Sequence, residues 1–311
     1  MSYRGHTVAV VVPAYREDRL IADTIRGIPD LVDHIVVVDD GSPDATGEVA
    51  EGLAHPAVTV IRHEYNQGVG AAIVTGHRRA IALGADVVAV MAGDNQMDPA
   101  YLTNLLDPVV DDGYGFAKGN RFFSRISTNG MPAIRIAGNM LLTFLNKAAS
   151  GYWNLVDPQN GYTVITRESL EQVPLHKLAK RYEFENDLLI WLNIADVRAV
   201  DVPIPARYEA EVSNLRPFRD GPRIGWLLFR GFWRRMWFKY TLWSFSPVAL
   251  LLYWGLLLLG VGLAVGTWTT VVALQGSSPT AGTTVLSVVP FFCGFVLLVQ
   301  ALVLDIQGTP D

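Results

Sequence analysis

Three short acidic or turn-forming clusters, each placed just after a run of aliphatic residues, are where this sequence has the means to do chemistry. Pro13-Ala-Tyr-Arg-Glu17 follows the run Thr7 to Val12, Asp39-Asp40-Gly-Ser-Pro43 closes the run His34 to Asp39, and Gly93-Asp94-Asn95-Gln96-Met97-Asp98-Pro99 follows Asp86 to Met91. Singly, each has a plain structural use, since Asp-Gly-Ser-Pro makes a good turn and Asp or Asn caps helices. Jointly they read as a binding site, because ligands of open parallel sheets sit outside the carboxyl ends of the strands.

The elements that must position these clusters are legible as alternating periods. Short Val- and Ile-rich runs at Thr7 to Val12, His34 to Asp39, Ala57 to Ile61, Asp86 to Met91 and Tyr114 to Lys118 alternate with segments of helical period. That alternation predicts βα units and an α/β fold with a mostly parallel sheet covered by helices on both faces. Beyond it the spacing predicts a helix over Pro132 to Ala149, a turn at Asp157-Pro-Gln-Asn-Gly161, a strand over Tyr162 to Thr166, a helix over Glu183 to Ile194 and a last strand over Val197 to Val202.

Charge divides the chain. Residues 1–215 hold 18 of the 25 Lys and Arg but 27 of the 30 Asp and Glu, an acidic domain unsuited to nucleic acid, whose binding leans on phosphate neutralisation. Residues 216–239 reverse the sign, with seven Arg and Lys against Asp220. Trp226, Phe229, Phe232, Trp233, Trp237 and Phe238 interleave there with Arg230, Arg234, Arg235 and Lys239, a pattern that suits a helix lying at a membrane interface with its cations toward anionic lipid. From Tyr240 through Leu304 the next 65 residues contain no Asp, Glu, Lys, Arg or His. They divide into two spans, Pro247 to Leu274 and Thr283 to Leu304, each longer than the roughly 20 residues that cross a bilayer. The basic flank makes its side cytoplasmic, so an integral membrane protein is expected with the acidic α/β domain and both termini cytoplasmic. The expected domains are 1–215, a juxtamembrane region 216–245 and a transmembrane hairpin 246–311, whose surface could serve a homo-oligomer without the sequence deciding it. The run Val8 to Val12 is read as a strand and not a signal peptide, and the one cysteine, Cys293, makes no disulfide framework or thiolate metal site.

The same clusters resemble the motifs of family 2 glycosyltransferases of the GT-A fold. Val10-Val-Val-Pro-Ala-Tyr-Arg-Glu17 is similar to the opening strand motif, Val37-Val-Asp-Asp-Gly-Ser42 to the second, and Asn66-Gln-Gly-Val-Gly70 to the loop and helix start after the third strand. The resemblance implies a Rossmann-like catalytic domain in which Pro13, Tyr15, Glu17, Asp39, Asp40, Gly70, Asp94 and Asn95 bind a nucleotide diphosphate sugar. It further implies a divalent cation, Mg2+ or Mn2+, on an Asp-x-Asp. Here that triplet is Ala92-Gly93-Asp94, which leaves Asp94 and Gln96 as the metal ligands. One carboxylate can suffice when phosphate oxygens and waters complete the shell.

Gly119-Asn-Arg121, Arg135 and Asn139, Asp157-Pro-Gln-Asn-Gly-Tyr162 and Arg167 resemble the dolichol phosphate mannose synthase and polyprenyl phosphate glucosyltransferase subgroup. There the resemblance implies a polyprenyl phosphate acceptor held by Arg121, Arg135, Asn139, Asp157, Gln159 and Arg167, with Asp94, Arg121 and Arg135 the catalytic set. A phosphate acceptor is already an anion at neutral pH, so an inverting displacement without a general base is expected. The subgroup's Arg-x-x-Gly-x-Ser is replaced by Tyr208-Glu-Ala-Glu-Val-Ser213, with Arg207 and Arg216 the nearest cations. Two other readings compete. Transfer to a glycolipid hydroxyl would need a base, for which Glu185 or Asp187 is the candidate, and Ala92 suggests a non-catalytic, membrane-tethered nucleotide-sugar binder.

Overall fold

Alternating burial on both faces of the strands organises the first part of the molecule. A computed structural model describes residues 2–121, 133–157, 160–205 and 217–310, with backbone alone for 133–141 and 217–220. The chain divides into two compact units, Met1–Phe232 with Pro310–Asp311, and Trp233–Thr309.

In the first unit seven strands form one sheet: β1 (Val8–Ala14), β2 (His34–Asp39), β3 (Val58–Arg62), β4 (Val87–Val90), β5 (Phe116–Asn120), β6 (Thr163–Thr166) and β7 (Ala199–Pro203), in the order β3-β2-β1-β4-β6-β5-β7. β6 runs antiparallel to both neighbours, and every other pairing is parallel. Because side chains alternate across a strand, Val8, Val10 and Val12 enter one core and Ala9 and Val11 the other. The first core is closed by α1 (Ile21–Gly27) and α4 (Leu102–Val110), the second by α3 (Val69–Ala82) and α7 (Phe184–Ile194). α2 (Thr46–Gly52) links β2 to β3, α5 (Ala133–Ser150) precedes β6, and α6 (Arg167–Gln172) follows it. The register brings the ends of β1, β2, β4 and β5 and the start of β6 to one edge of the sheet.

α8 (Pro217–Arg235) follows. Its Ile224 and Leu228 are buried, and Gly231 abuts Ile190 of α7, while Trp226 and Phe229 stack at 5.8 Å on the solvent side.

In the second unit a π-helical stretch, Met236–Trp243, leads into α9 (Pro247–Leu274) and α10 (Ala281–Gln307). Both long helices are long and apolar enough to cross a membrane, and large side chains such as Trp254, Leu257, Phe292 and Phe295 point outward. Small residues let the two backbones meet: a Cβ on Gly262 would stand 2.5 Å from Phe291 N, and one on Gly294 2.5 Å from Leu259 N. The expectation that Arg235 belongs to a lipid-facing row of cations is corrected. Arg235 is fully buried, with Nη1 and Nη2 donating to Asp305 Oδ1 and Oδ2 at 2.5 and 2.9 Å, and Tyr240 OH donates to the same carboxylate at 2.6 Å. A charge in apolar surroundings must be paired, and the aspartate just past the uncharged run is its partner.

Candidate active site

The strand ends enclose a cavity of about 600 Å³. Its wall at the β1 end is Pro13, Tyr15 and Glu17, positioned because the chain leaves β1 in a turn: Arg16 N–H donates to Ser42 Oγ and Glu17 N–H to Thr46 Oγ1. Asp40 reaches the cavity at the β2 end, but its carboxylate is committed to building the wall. Asp40 Oδ1 accepts from Gln67 N–H and bonds His63 Nδ1, and Oδ2 accepts from Gly68 N–H at 2.7 Å. Gly68 itself has φ of +104°, and a side chain there would run into Lys180 O, so only glycine fits this loop. Asp39 lies one residue back, buried, with Oδ1 accepting from Ser42 N–H.

The β4 end contributes Ala92, Gly93, Asp94 and Gln96 to the cavity wall. Asp94 Oδ1 accepts from Gln96 N–H at 3.1 Å, a tight turn made possible by the left-handed Asn95 with φ of +58°. Asp94 and Gln96 therefore face one ligand space with a carboxylate and a carboxamide. These are hard oxygen donors that fit Mg2+ or Mn2+ when a substrate pyrophosphate and waters supply the remaining ligands. Among the described residues no three His, Cys, Asp or Glu side chains form a complete protein-only metal cage.

Beyond β6, at the end of β5, Arg121 lines the same cavity. Its Nε and Nη2 donate to the two oxygens of Asp157 at 2.9 and 3.3 Å. The side chain of Asp157 is only 2% exposed and that of Arg121 44%. The planar fork is thus fixed on one side and presented to the cavity on the other, a geometry suited to a phosphate. Asn160 Nδ2 donates to Gly119 O and closes the turn behind it.

Several sequence expectations land elsewhere. Gly70 does not touch the cavity. It lets α3 approach α7, for a Cβ there would stand 2.7 Å from Phe184 Cβ. Asn95 shapes the loop and is not on the wall. Arg167 is corrected outright: β6 is antiparallel to β4, so its last residue, Thr166, pairs with Val87 at the opposite end of the sheet. There Arg167 N–H donates to Asp86 O, and its side chain pairs with Glu171. Arg135 and Asn139 fall in the part of α5 whose side chains lie outside the described residues, and Gln159 lies outside the described residues altogether. Asp187 is buried, with Oδ2 accepting from Ala179 N–H, whereas Glu185 lies on the wall.

Sequence reading missed Arg181 and Tyr182, which also line the cavity, and gave no role to Asn160 and Met97 within the motifs that hold them. Arg181 comes from the segment before α7 that packs on Gly68, and no local pattern announces that approach. It also missed Lys118, which closes the predicted strand run Tyr114 to Lys118 and is fully buried. Burial pushes the Lys118 ammonium down to about 8, against the pull of Glu185, Asp157 and Asp201, and pushes the Glu185 carboxyl up, opposed by Lys118.

Known proteins share this arrangement of strands and loops. The chain is 28% identical over 216 residues to UDP-N-acetylglucosamine–dolichyl-phosphate N-acetylglucosaminyltransferase of Methanococcus voltae, covering 65% of this chain and 86% of the relative. It is 32% identical over 210 residues to polyprenol monophosphomannose synthase of Mycolicibacterium smegmatis, covering 63% and 75%. Glucosyl-3-phosphoglycerate synthase from Mycobacterium tuberculosis, in a crystal structure with Mn2+ and UDP-glucose, superposes over 75% of this chain and 79% of that one with a TM-score of 0.56 at 22% identity, which establishes the shared fold. The model of glycosyl transferase family 2 matches residues 9–173. That match covers more than half of the 311 residues, and the chain belongs to this family of glycosyltransferases.

Proposed function

We propose that the protein transfers a glycosyl group from a nucleotide diphosphate sugar to a polyprenyl phosphate at the cytoplasmic face of a membrane, with inversion. The observation that carries this reading is Arg121, held by buried Asp157 in the cavity that also contains Asp94. From β2 to β5 the strand ends span four strand spacings, roughly 19 Å. That length takes a nucleoside at Pro13, Tyr15 and Glu17, a diphosphate at Asp94, then a sugar and the acceptor phosphate at Arg121.

Asp94 and Gln96 would hold Mg2+ or Mn2+, which would neutralise charge on the departing diphosphate. The affinity of the free protein for such a cation is expected to be weak, since Ala92 offers no carboxylate. Arg121, aided by Arg135, would orient the lipid phosphate as nucleophile, which needs no deprotonation. The exposed Trp226 and Phe229 of α8, the nearby arginines and the two apolar helices support a membrane anchor that keeps the active site near lipid headgroups. The names of the Methanococcus and Mycolicibacterium relatives support a lipid phosphate acceptor.

A panel of radiolabelled nucleotide sugars incubated with membranes and polyprenyl phosphate tests the reading, with organic-extractable label expected for one donor. Label that appears with diacylglycerol and not with polyprenyl phosphate would instead support transfer to a hydroxyl. Glu185 on the cavity wall would then be the base.

A further inference from the structure

Lys118 is a feature of this site that neither the sheet nor the transfer reading accounts for. On β5 it shares a face with Phe116, which belongs to the core between the sheet, α3 and α7. Its Nζ makes no hydrogen bond, and the side chain is fully buried. An ammonium in such surroundings persists only beside compensating charge. Three carboxylates surround it. Asp157 is already gripped by Arg121, and Asp201 Oδ2 accepts from Asn120 Nδ2 and Val156 N–H, while its Oδ1 is buried without a hydrogen bond. Glu185, at the start of α7, receives no hydrogen bond from another described side chain and is the main charge acting on Lys118.

Both groups line a cavity of about 10 Å³, together with Phe184 and Gly161. Glu185 also lines the large cavity on its other side. A Cβ on Gly161 would lie 3.8 Å from Glu185 Oε1 and 3.3 Å from Met97 Cε, so this carboxylate stands next to the loop that carries Asp94.

We propose that Lys118 is a positioning residue: its buried ammonium holds the Glu185 carboxylate, ionised, at the inner wall of the large cavity, where that carboxylate accepts hydrogen bonds from hydroxyl groups of the donor's sugar. The inference rests on the transfer reading and specifies its sugar subsite. A carboxylate there selects a hexose with free hydroxyls on that side. Lys118, without touching substrate, keeps the acceptor charged. Glu185 is faced by Lys118 and Glu183, and Lys118 by Glu185, Asp157, Asp201 and Arg121. Removing the ammonium leaves burial unopposed, which favours the protonated carboxyl.

The test uses the full-length protein in detergent micelles with Lys118→Met, Lys118→Arg, Glu185→Gln and the double variant Lys118→Met/Glu185→Gln. Nucleotide diphosphate release is followed from UDP-glucose, UDP-N-acetylglucosamine and GDP-mannose, with and without undecaprenyl phosphate, and melting temperatures are measured in the same micelles. Each of the two neutralising single variants is expected to lose about tenfold or more in kcat, the scale of a displaced contact. The double variant should be no slower than the worse single, Lys118→Arg should recover much of the loss, and the acid limb of the kcat profile should move to higher pH in Lys118→Met. An unmoved acid limb, or losses that multiply in the double variant, would overturn the proposal. A wild-type protein that cleaves none of the donors overturns the transfer reading and with it the sugar-facing role of Glu185. The melting temperatures then decide the Lys118–Glu185 pairing: a sub-additive double variant upholds it and additive losses refute it.

Discussion

Arg121 and Arg235 each fork onto the carboxylate of a buried aspartate, and the two pairs do opposite work. At the sheet edge Asp157 is buried but Arg121 is nearly half exposed, so part of the guanidinium is left for a ligand. In the second unit Arg235 and Asp305 are both out of solvent, and Tyr240 OH occupies a further acceptor position on Asp305. The sequence motif is alike in both, a cation and a distant aspartate. What differs is whether the arginine has donors to spare. An arginine that can still reach a cavity is a recognition element, and one whose fork is closed on every side ties elements together. Here it ties the end of α8 to the end of α10.

The largest effect should come from breaking the closed pair. Asp305→Ala leaves the Arg235 guanidinium buried and uncompensated, which costs about 3–5 kcal/mol. A marked fall in the melting temperature of the micellar protein checks this, and joint replacement Arg235→Met/Asp305→Leu should recover most of it. At the open pair the loss should appear in turnover. Arg121→Ala is expected to lower kcat/KM for polyprenyl phosphate by about 100-fold or more, the scale of one removed charge-stabilising donor, with little change in melting temperature. Arg121→Lys, which keeps charge but not the planar fork, should fall between. If Arg121→Ala melted like Asp305→Ala and kept its turnover, the division between the pairs would be wrong.

The contrast also marks what the sequence could convey. The strand runs, the three loop clusters and both apolar spans were legible, because each is a local pattern: a period of two or 3.6, a turn signature, an uncharged length. His34–Asp39 and Pro247–Leu274 have the same bounds in sequence and structure. The placement of β6 was not legible, because an antiparallel strand inserted between β4 and β5 is a long-range choice made by packing. It is that choice which carries Arg167 to the far end of the sheet and brings Asn160 and Gly161 to the cavity. Arg235 and Lys118 escaped for a related reason. A basic residue in a basic stretch, or closing an apolar run, gives no local sign that it is buried, and Asp305, the partner of Arg235, lies 70 positions away.

A smaller effect separates the two units by acid. His77 on α3 is buried with neither ring nitrogen hydrogen-bonded, and burial pushes its pKa down to about 4 from 6.5. The unfolded chain therefore takes up a proton that the folded one refuses. The stability associated with neutral His77 is whole above pH 6.5 and is lost progressively as pH falls toward 4. The full shift corresponds to about 3 kcal/mol. Hydrogen exchange at pH 7 and pH 5 should show faster exchange in the sheet unit at the lower pH, with the α9–α10 hairpin, which holds no histidine, little changed. His77→Leu should flatten that dependence.

The smallest expected effect tests whether the Arg235–Asp305 pair is alone in securing the hairpin. Were it so, substitutions along the helix contact would be silent. The backbone geometry argues otherwise at Gly262, where a methyl group would meet the main chain of Phe291 at 2.5 to 2.8 Å. A backbone cannot rotate out of the way as a side chain can, so Gly262→Ala must push α9 and α10 apart and loosen the contacts on either side. Overpacking of this kind costs about 1–3 kcal/mol. Gly266, one turn further along the same helix, has nothing nearer than Ser287 Cβ at 3.7 Å, an ordinary contact. Gly266→Ala should therefore be neutral or slightly stabilising, since alanine is the better helix former. Melting temperatures of the two variants, compared in the same micelles with Asp305→Ala, give the ranking. A lowered value for Gly262→Ala beside an unchanged one for Gly266→Ala assigns part of the hairpin's stability to close backbone approach, and equal values would return all of it to the buried ion pair.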